Sequence, residues 1–336
     1  MRLTLESGFR GIGAAVGLAV GAASTARAQV HHYAFFGMER EKLRTTPDFL
    51  ATPRFEGAQV RYAWRQLEPG RDEYDFSLIR EDLDLLTRHG KKLWIQLQDV
   101  SFSEQYILVP KYLLADSAFH GGVARQYSNP SNAGGGWVAR RWDPAVQRRL
   151  DALFAALGKE FDGRIVGINL AETSIEFGKD DAHAPAGFTP SGYVTAIIDN
   201  MAALKRAFPK SIVEQYVNFM PGEWRPDVNR GYLDSVYAAA RRMGVAVGGP
   251  DVLPHRPGQL GSSYPLIRAS RGIVPIGMAV QDGNLAELNR VTGKRVTAEE
   301  LLAFATGYLG ANYMFWGIEE PYFTTEIIPL VRRTPP

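Results

Sequence analysis

Residues Ala58–Asp99 read AQVRYAWRQLEPGRDEYDFSLIREDLDLLTRHGKKLWIQLQD, and the apolar period changes twice along them. Val60, Tyr62 and Trp64 alternate as a short extended run, followed by the polar loop RQLEPGRDEYDFS. Ile79, Leu83, Leu85 and Leu86 then recur at helical spacing, and His89-Gly90 supplies a helix stop. Leu93, Ile95 and Leu97 alternate with Trp94, Gln96 and Gln98, the signature of a second strand. The segment therefore predicts strand, loop, amphipathic helix, turn and strand.

The same alternation extends to the whole chain. Strands are predicted over His32–Gly37, Gln59–Trp64, Lys92–Gln98, Ile165–Leu170, Ile212–Asn218, Val245–Gly248, Val274–Val280 and Asn312–Trp316. Helices are predicted over Pro144–Phe161 before the fourth strand and Gly192–Phe208 before the fifth. Eight strands alternating with helices, without a second domain's worth of sequence, predict an α/β fold: a single (β/α)8 TIM barrel. The chain's 336 residues exceed the roughly 250 such a barrel needs. An open doubly wound sheet would place a glycine-rich phosphate turn after an early strand, and Gly134-Gly135-Gly136 follows no predicted strand. The connection from the third strand to the third helix, Val100–Trp142, is unusually long and leaves the face where barrel active sites form. Trp137 and Trp142 bracket Arg140-Arg141 there, either as platforms for a ligand or as packing that ties the loop to the barrel.

The opening unit resembles the second βα step of sugar-cleaving barrels, in which a strand leads into W-x-x-L-E-P-x-x-G-x-Y-D-F-S. Trp64, Leu67, Glu68, Pro69, Tyr74, Asp75, Phe76 and Ser77 carry the likeness. The family implied is clan A of the retaining (β/α)8 glycoside hydrolases, which includes β-galactosidases, cellulases and xylanases. The resemblance implies hydrolysis of O-glycosidic bonds in a poly- or oligosaccharide by paired carboxylates, with no cofactor and no metal.

Glycoside hydrolysis needs a proton donor and a second carboxylate, a nucleophile at about 5–5.5 Å or a base at about 6.5–9.5 Å. In a barrel both belong at strand C-termini. Glu81, Asp82, Asp84, Asp151, Glu299 and Glu300 fall on predicted helices and are expected on solvated faces. Glu172 ends the fourth strand, where clan A carries its acid/base glutamate in an Asn-Glu pair; here the pair is Ala171-Glu172, with Asn169 three residues earlier. Glu176 is the competing candidate. At the end of the seventh strand the family has its nucleophile, and this chain has Gln281, whose amide cannot form a glycosyl ester. Asp282 then reads as a shifted nucleophile, as a base for water, or as a turn residue before Gly283. Glu319, after the eighth strand, is either its substitute or a partner in a loop salt bridge. The family's eighth-strand tryptophan floors a sugar subsite, which implies stacking by Trp316. Asp99 and Asp251 end the third and sixth strands as binders of hydroxyls, orienting groups or loop caps. Arg61, Gln96, Gln98, Asn169, Tyr216 and Asn218 interrupt apolar strands and suit neutral polyhydroxylated ligands, although some must pair inside the barrel. Trp64, Trp94 and Trp224 either line the cleft or fill the core.

The N-terminus reads as an export signal: Arg2 and Arg10, a Gly/Ala-rich apolar run over Ile12–Ala23, and the small-x-small site Ala26-Arg27-Ala28. Cleavage after Ala28 would leave residues 29–336 as the barrel domain, secreted or periplasmic, a monomer or small homo-oligomer. Removing residues 1–28 takes Arg2, Arg10 and Arg27 but only Glu6, leaving 35 basic and 35 acidic residues. A neutral mature chain gives no reason to expect nucleic acid or a membrane as a partner. The absence of cysteine excludes thiolate metal sites and cysteine nucleophiles. The rival readings are a carbohydrate-binding barrel that has lost catalysis, suggested by Gln281, and a metal-dependent hydrolase, although His31, His32, His89, His120, His183 and His255 form no metal-ligand pattern.

Overall fold

A closed ring of eight parallel strands forms the centre of the protein in a computed structural model. It describes residues 29–334 except 129, 130, 132, 225 and 226, so the predicted signal lies outside the described residues. The strands are β1 (His31–Phe35), β2 (Phe55–Ala63), β3 (Lys92–Gln98), β4 (Val123–Tyr127), β5 (Gly134–Ala139), β6 (Gly167–Leu170), β7 (Ile212–Tyr216), β8 (Ala246–Gly249), β9 (Ile276–Val280) and β10 (Tyr313–Gly317). Around the barrel the order is β1-β10-β9-β8-β7-β6-β3-β2, closing by β1 pairing β2, while β4 and β5 form a separate antiparallel hairpin. Each predicted barrel strand overlaps an observed one, and Lys92–Gln98 and the helix Pro144–Phe161 match their predicted bounds. No helix among the described residues is long and apolar enough to cross a membrane.

The opening unit folds as its periodicity requires. Helix Ser77–Arg88 buries Ile79, Leu83 and Leu86 against the barrel. Asp82 departs from the solvated face expected of it: it is fully buried, accepting from the Tyr62 hydroxyl at 2.8 Å and from Arg40 Nε and Nη2 at 2.9 and 2.7 Å. The loop motif is also structural. Trp64 opens a helical turn, Trp64–Leu67, that leaves the barrel, and its indole Nε1 donates to Glu68 Oε2 at 2.8 Å. Glu68 accepts further hydrogen bonds from Tyr112 and Arg149. Trp64 is 0% exposed, so it fills core and does not line a cleft.

The long connection after β3 is built rather than irregular. It carries the short helix Lys111–Ala115 and the β4–β5 hairpin. Ser101 and Trp137 exchange backbone hydrogen bonds at 2.7 and 3.1 Å, fastening β5 to the end of β3. Tyr127 N donates to Glu176 O at 2.9 Å, fastening β4 to the segment after β6. The hairpin thus stands on the C-terminal face between the third and fourth barrel strands.

Period-two alternation fills the barrel interior. Tyr33, Phe35, Trp94, Tyr216, Ala279 and Phe315 pack as one inner cluster. A polar layer crosses it, with Gln59 Nε2 donating to Asn169 Oδ1 at 3.0 Å and to the Tyr216 hydroxyl at 2.9 Å. Glu214 also points inward from β7. It is fully buried, and neither carboxyl oxygen completes a hydrogen bond of good geometry. Its room comes from two glycines: a Cβ at Gly277 would lie 2.2 Å, and one at Gly248 2.6 Å, from Glu214 Oε1. Burial, against the opposing pull of the Gly277 backbone, pushes the Glu214 carboxyl up to about 8. An ordinary glutamate ionises near 4.3 in the unfolded chain, so between these values the native state holds a proton that the unfolded state lacks. Stability must therefore fall as pH rises through this window. Comparing denaturant midpoints at pH 5 and pH 8, we expect this group to cost the wild type about 3–4 kcal/mol across the interval. Glu214→Gln should lack that share; equal pH slopes in the two proteins would remove Glu214 as its source.

Candidate active site

The C-terminal ends of the barrel strands gather a cluster of polar side chains. Arg61 rises from β2 over the Phe35 ring, its guanidinium carbon 4.8 Å from the centroid. Its Nε donates to Gln96 Oε1 at 3.1 Å and its Nη2 to Gln281 Oε1 at 3.0 Å. Both acceptors are neutral amides. Burial therefore pulls the guanidinium pKa down, opposed by Tyr216 and then by the carboxylates of Glu172, Asp251 and Asp282.

Glu172 stands two residues beyond the end of β6, and two sets of contacts fix it. Arg141 Nη1 donates to the Glu172 carbonyl and to the Tyr193 hydroxyl, both at 2.9 Å. The same guanidinium forms a bidentate pair with Asp99, Nε to Oδ2 at 2.7 Å and Nη2 to Oδ1 at 2.5 Å, and both partners are buried. Asp99 thus clamps the end of one strand to the next through Arg141. On the side chain, Asn218 Nδ2 donates to Glu172 Oε2, while Asn218 Oδ1 accepts from Ser174 N at 3.1 Å and Phe219 N at 2.9 Å. Glu172 keeps partial access to solvent, yet the walls around it push its carboxyl up to about 7. Burial is the main cause; the Asn218 hydrogen bond opposes it, the Asp251 charge adds to it, and Arg61 and Arg141 oppose it. A carboxyl that is half protonated near neutrality can donate a proton there.

Asp251, two residues beyond β8, completes the cluster. Its Oδ1 accepts from Asn284 Nδ2 at 2.9 Å. Asn284 is buried, and its own oxygen accepts from Val252 N at 3.0 Å and Gln281 N at 3.3 Å, tying the ends of β8 and β9 together. Burial raises the Asp251 pKa, against the Asn284 hydrogen bond and Arg61.

The structure thus brings Arg61, Gln96, Glu172, Asn218, Gln281 and Asp251 together. Gln96 is itself buried against Arg61, and Gln98 is buried as well, its Nε2 donating to Val100 O at 2.7 Å. Other predicted site residues lie elsewhere. Asn169 and Tyr216 are 0% exposed in the polar layer inside the barrel, where they satisfy Gln59 instead of meeting a ligand. Asp282 is exposed; after burial, its surroundings are set by Glu319, Glu39 and Lys42 at the rim. Glu319 Oε2 accepts from Gly283 N at 2.9 Å and so caps the turn that holds Asp282. Glu176 belongs to the segment that pairs with the hairpin.

The tryptophans divide by register. Phe315 points into the barrel, so its neighbour Trp316 points out, and it is 0% exposed. Its Nε1 donates to His32 Nδ1 at 3.0 Å, an acceptor kept neutral because burial pulls the His32 pKa down to about 4. Trp316 therefore locks β10 to β1 and floors no subsite, and Trp94 fills the core below the cluster. Trp142 packs edge-on against Phe177 and Phe188 with centroids 5.8 and 4.9 Å away. Trp137, on the hairpin, remains part-exposed, its Nε1 donating to Glu104 O at 3.0 Å. Trp224 lies 6.1 Å from the Phe219 ring in the loop after β7. Among the described residues no group of three His, Asp or Glu side chains is placed to hold a metal ion.

Sequence reasoning left three parts of this arrangement unassigned: the Asp99–Arg141 clamp, the Asn284 tie and the inward-facing Glu214. The last was within reach, because Ile212, Glu214 and Tyr216 share one face of a strand.

No protein-family model matches the chain, and no curated protein matches it. Solved structures do. The catalytic domain of β-amylase from Paenibacillus polymyxa superposes with a TM-score of 0.60 at 10% identity, covering 92% of this chain and 100% of that one. Endo-glycoceramidase II from a Rhodococcus species superposes with a TM-score of 0.52 at 12% identity, covering 88% of this chain and 74% of that one. The chain has the (β/α)8 barrel fold of these carbohydrate-active proteins.

Proposed function

We propose that this protein hydrolyses O-glycosidic bonds of an oligo- or polysaccharide, with Glu172 as the acid that protonates the leaving oxygen. The observation that carries the reading is a strand-end glutamate whose carboxyl is raised to about 7, held between Asn218 and the Arg141 clamp. Gln281, part-exposed beside Arg61, offers an amide group suited to sugar hydroxyls. The N-terminal signal read from residues 1–28 supports action outside the cytoplasm.

The test is reducing-sugar release from soluble starch, xylan, barley β-glucan, galactan and chitosan. The acid form of Glu172 must carry the proton, so kcat/KM should decline above about pH 7, approaching tenfold per pH unit. Asn218 favours the ionised form, so Asn218→Ala should move this basic limb to higher pH. Gln281 in the nucleophile's usual place favours a second reading, a sugar-binding barrel without turnover. Calorimetric binding of one of these glycans with no release at high protein concentration would establish that reading in place of hydrolysis.

A further inference from the structure

We infer that the open fork of Arg61 seats the carboxylate of an acidic sugar, so that the glycan taken by this site contains uronic acid. The inference rests on the carbohydrate reading of the site and names the class of sugar. Arg61 is part-buried and reaches across the barrel mouth. From β2 its guanidinium lies over Phe35 of β1, donating through Nε to Gln96 of β3 and through Nη2 to Gln281 after β9. These bonds occupy the Nε/Nη2 edge and fix the plane of the group. The end-on edge remains, with two N–H groups on Nη1 and one on Nη2. Nη1 donates to none of the described residues, and it is not sealed from solvent.

What the guanidinium lacks is a counter-charge in contact with it. Arg40, Arg141 and Arg149, which are buried to a similar or greater degree, each donate to a carboxylate. Arg141 spends its Nε/Nη2 edge on both oxygens of Asp99, where Arg61 spends the same edge on two neutral amides. Among the described residues no carboxylate forms an ion pair with Arg61; Glu172, Asp251 and Asp282 act on it only from a distance. A guanidinium cannot shed its charge by losing a proton. A glycan settling on the open edge displaces its water, so either the ligand brings a negative charge or the cation is left unpaired at a high cost. A planar carboxylate offers two oxygens that match the fork. Strand register sets Arg61 opposite Gln96, and Gln96 opposite Asn169, three residues before Glu172. Two strand spacings, about 10 Å, separate the Arg61 and Asn169 backbones. A uronate on Arg61 therefore lies on the same face of the barrel as the carboxyl of Glu172.

The experiment compares polygalacturonate, alginate and hyaluronan with their carboxyl-reduced forms, in which each uronic acid becomes a neutral hexose on the same backbone. Calorimetric binding and reducing-sugar release are read on both forms. At least one acidic polymer should be bound or cleaved about 10–100-fold better than its reduced form, the range of a charge-assisted hydrogen bond. In Arg61→Gln that ratio should fall to near one. Arg61→Lys keeps the charge without the fork, so its ratio should lie between the two. The wild-type ratio needs no variant, so it decides the matter even if neither variant folds. A ratio near one for all three polymers, no binding of any of them, or a ratio kept in a folded Arg61→Gln overturns the inference. Faster cleavage of a neutral glycan than of every acidic one overturns it too, while hydrolysis by Glu172 stands. Binding with the expected ratio but no release supports the Arg61 assignment and defeats hydrolysis instead.

Discussion

Glu172→Gln is expected to lower kcat/KM on the best natural glycan by about 10²–10⁴-fold, the range typical of a positioned general acid. The substitution keeps the volume of the side chain and an oxygen able to accept from Asn218, and it leaves the Arg141 bond to the residue 172 carbonyl in place. What it removes is the proton. A leaving group that departs as a stable anion needs no proton, so a dinitrophenyl glycoside of the same sugar should lose far less. The basic limb near pH 7 should also disappear from the variant's profile, because the group that titrates there is gone. Equal losses on both substrates would mean that Glu172 binds or shapes the site without acting as the acid.

The second large effect is on stability. Asp99→Asn leaves the Arg141 guanidinium buried without its counter-charge, and breaking a buried pair from one side costs about 3–5 kcal/mol. Equilibrium denaturation should show a lower midpoint with an unchanged slope. The double variant Asp99→Leu with Arg141→Met removes both charges together, so it should recover much of that loss. It should not recover activity, because Arg141 also fixes the Glu172 carbonyl and the Tyr193 hydroxyl. A double variant as unstable as Asp99→Asn would show that packing, and not the unpaired charge, sets the cost.

Local signals carried most of the architecture. The strands were legible because alternation and helical spacing report on which face of an element is buried, and the stops between them lie in the same few residues. Helix Pro144–Phe161 has its cap in sequence: Asp143 accepts from Ala145 N and Val146 N, and Pro144 follows it. The position of Glu172 was legible for the same reason, since it stands two residues beyond a short strand. Local pattern failed where one residue of register decides the answer. Moving a strand by one position exchanges its two faces, so the eighth-strand tryptophan expected in the cleft sits instead against His32. Asp82 failed similarly, because its part-buried partner Arg40 lies 42 residues earlier in the chain.

By itself, then, the sequence determined the succession of eight strands, the barrel they close and the strand-end glutamate, because each follows from periodicity over a few neighbouring residues. Tertiary structure alone decided what surrounds that glutamate. Asp99 and Arg141 meet across 42 residues, Arg61 and Gln281 across 220, and Asp251 and Asn284 across 33. Closing the ring of strands puts these groups within hydrogen-bond reach, and their burial together sets which carboxyl holds a proton near neutral pH. Charge interactions and desolvation depend on distances in space, and spacing along the chain does not encode those distances.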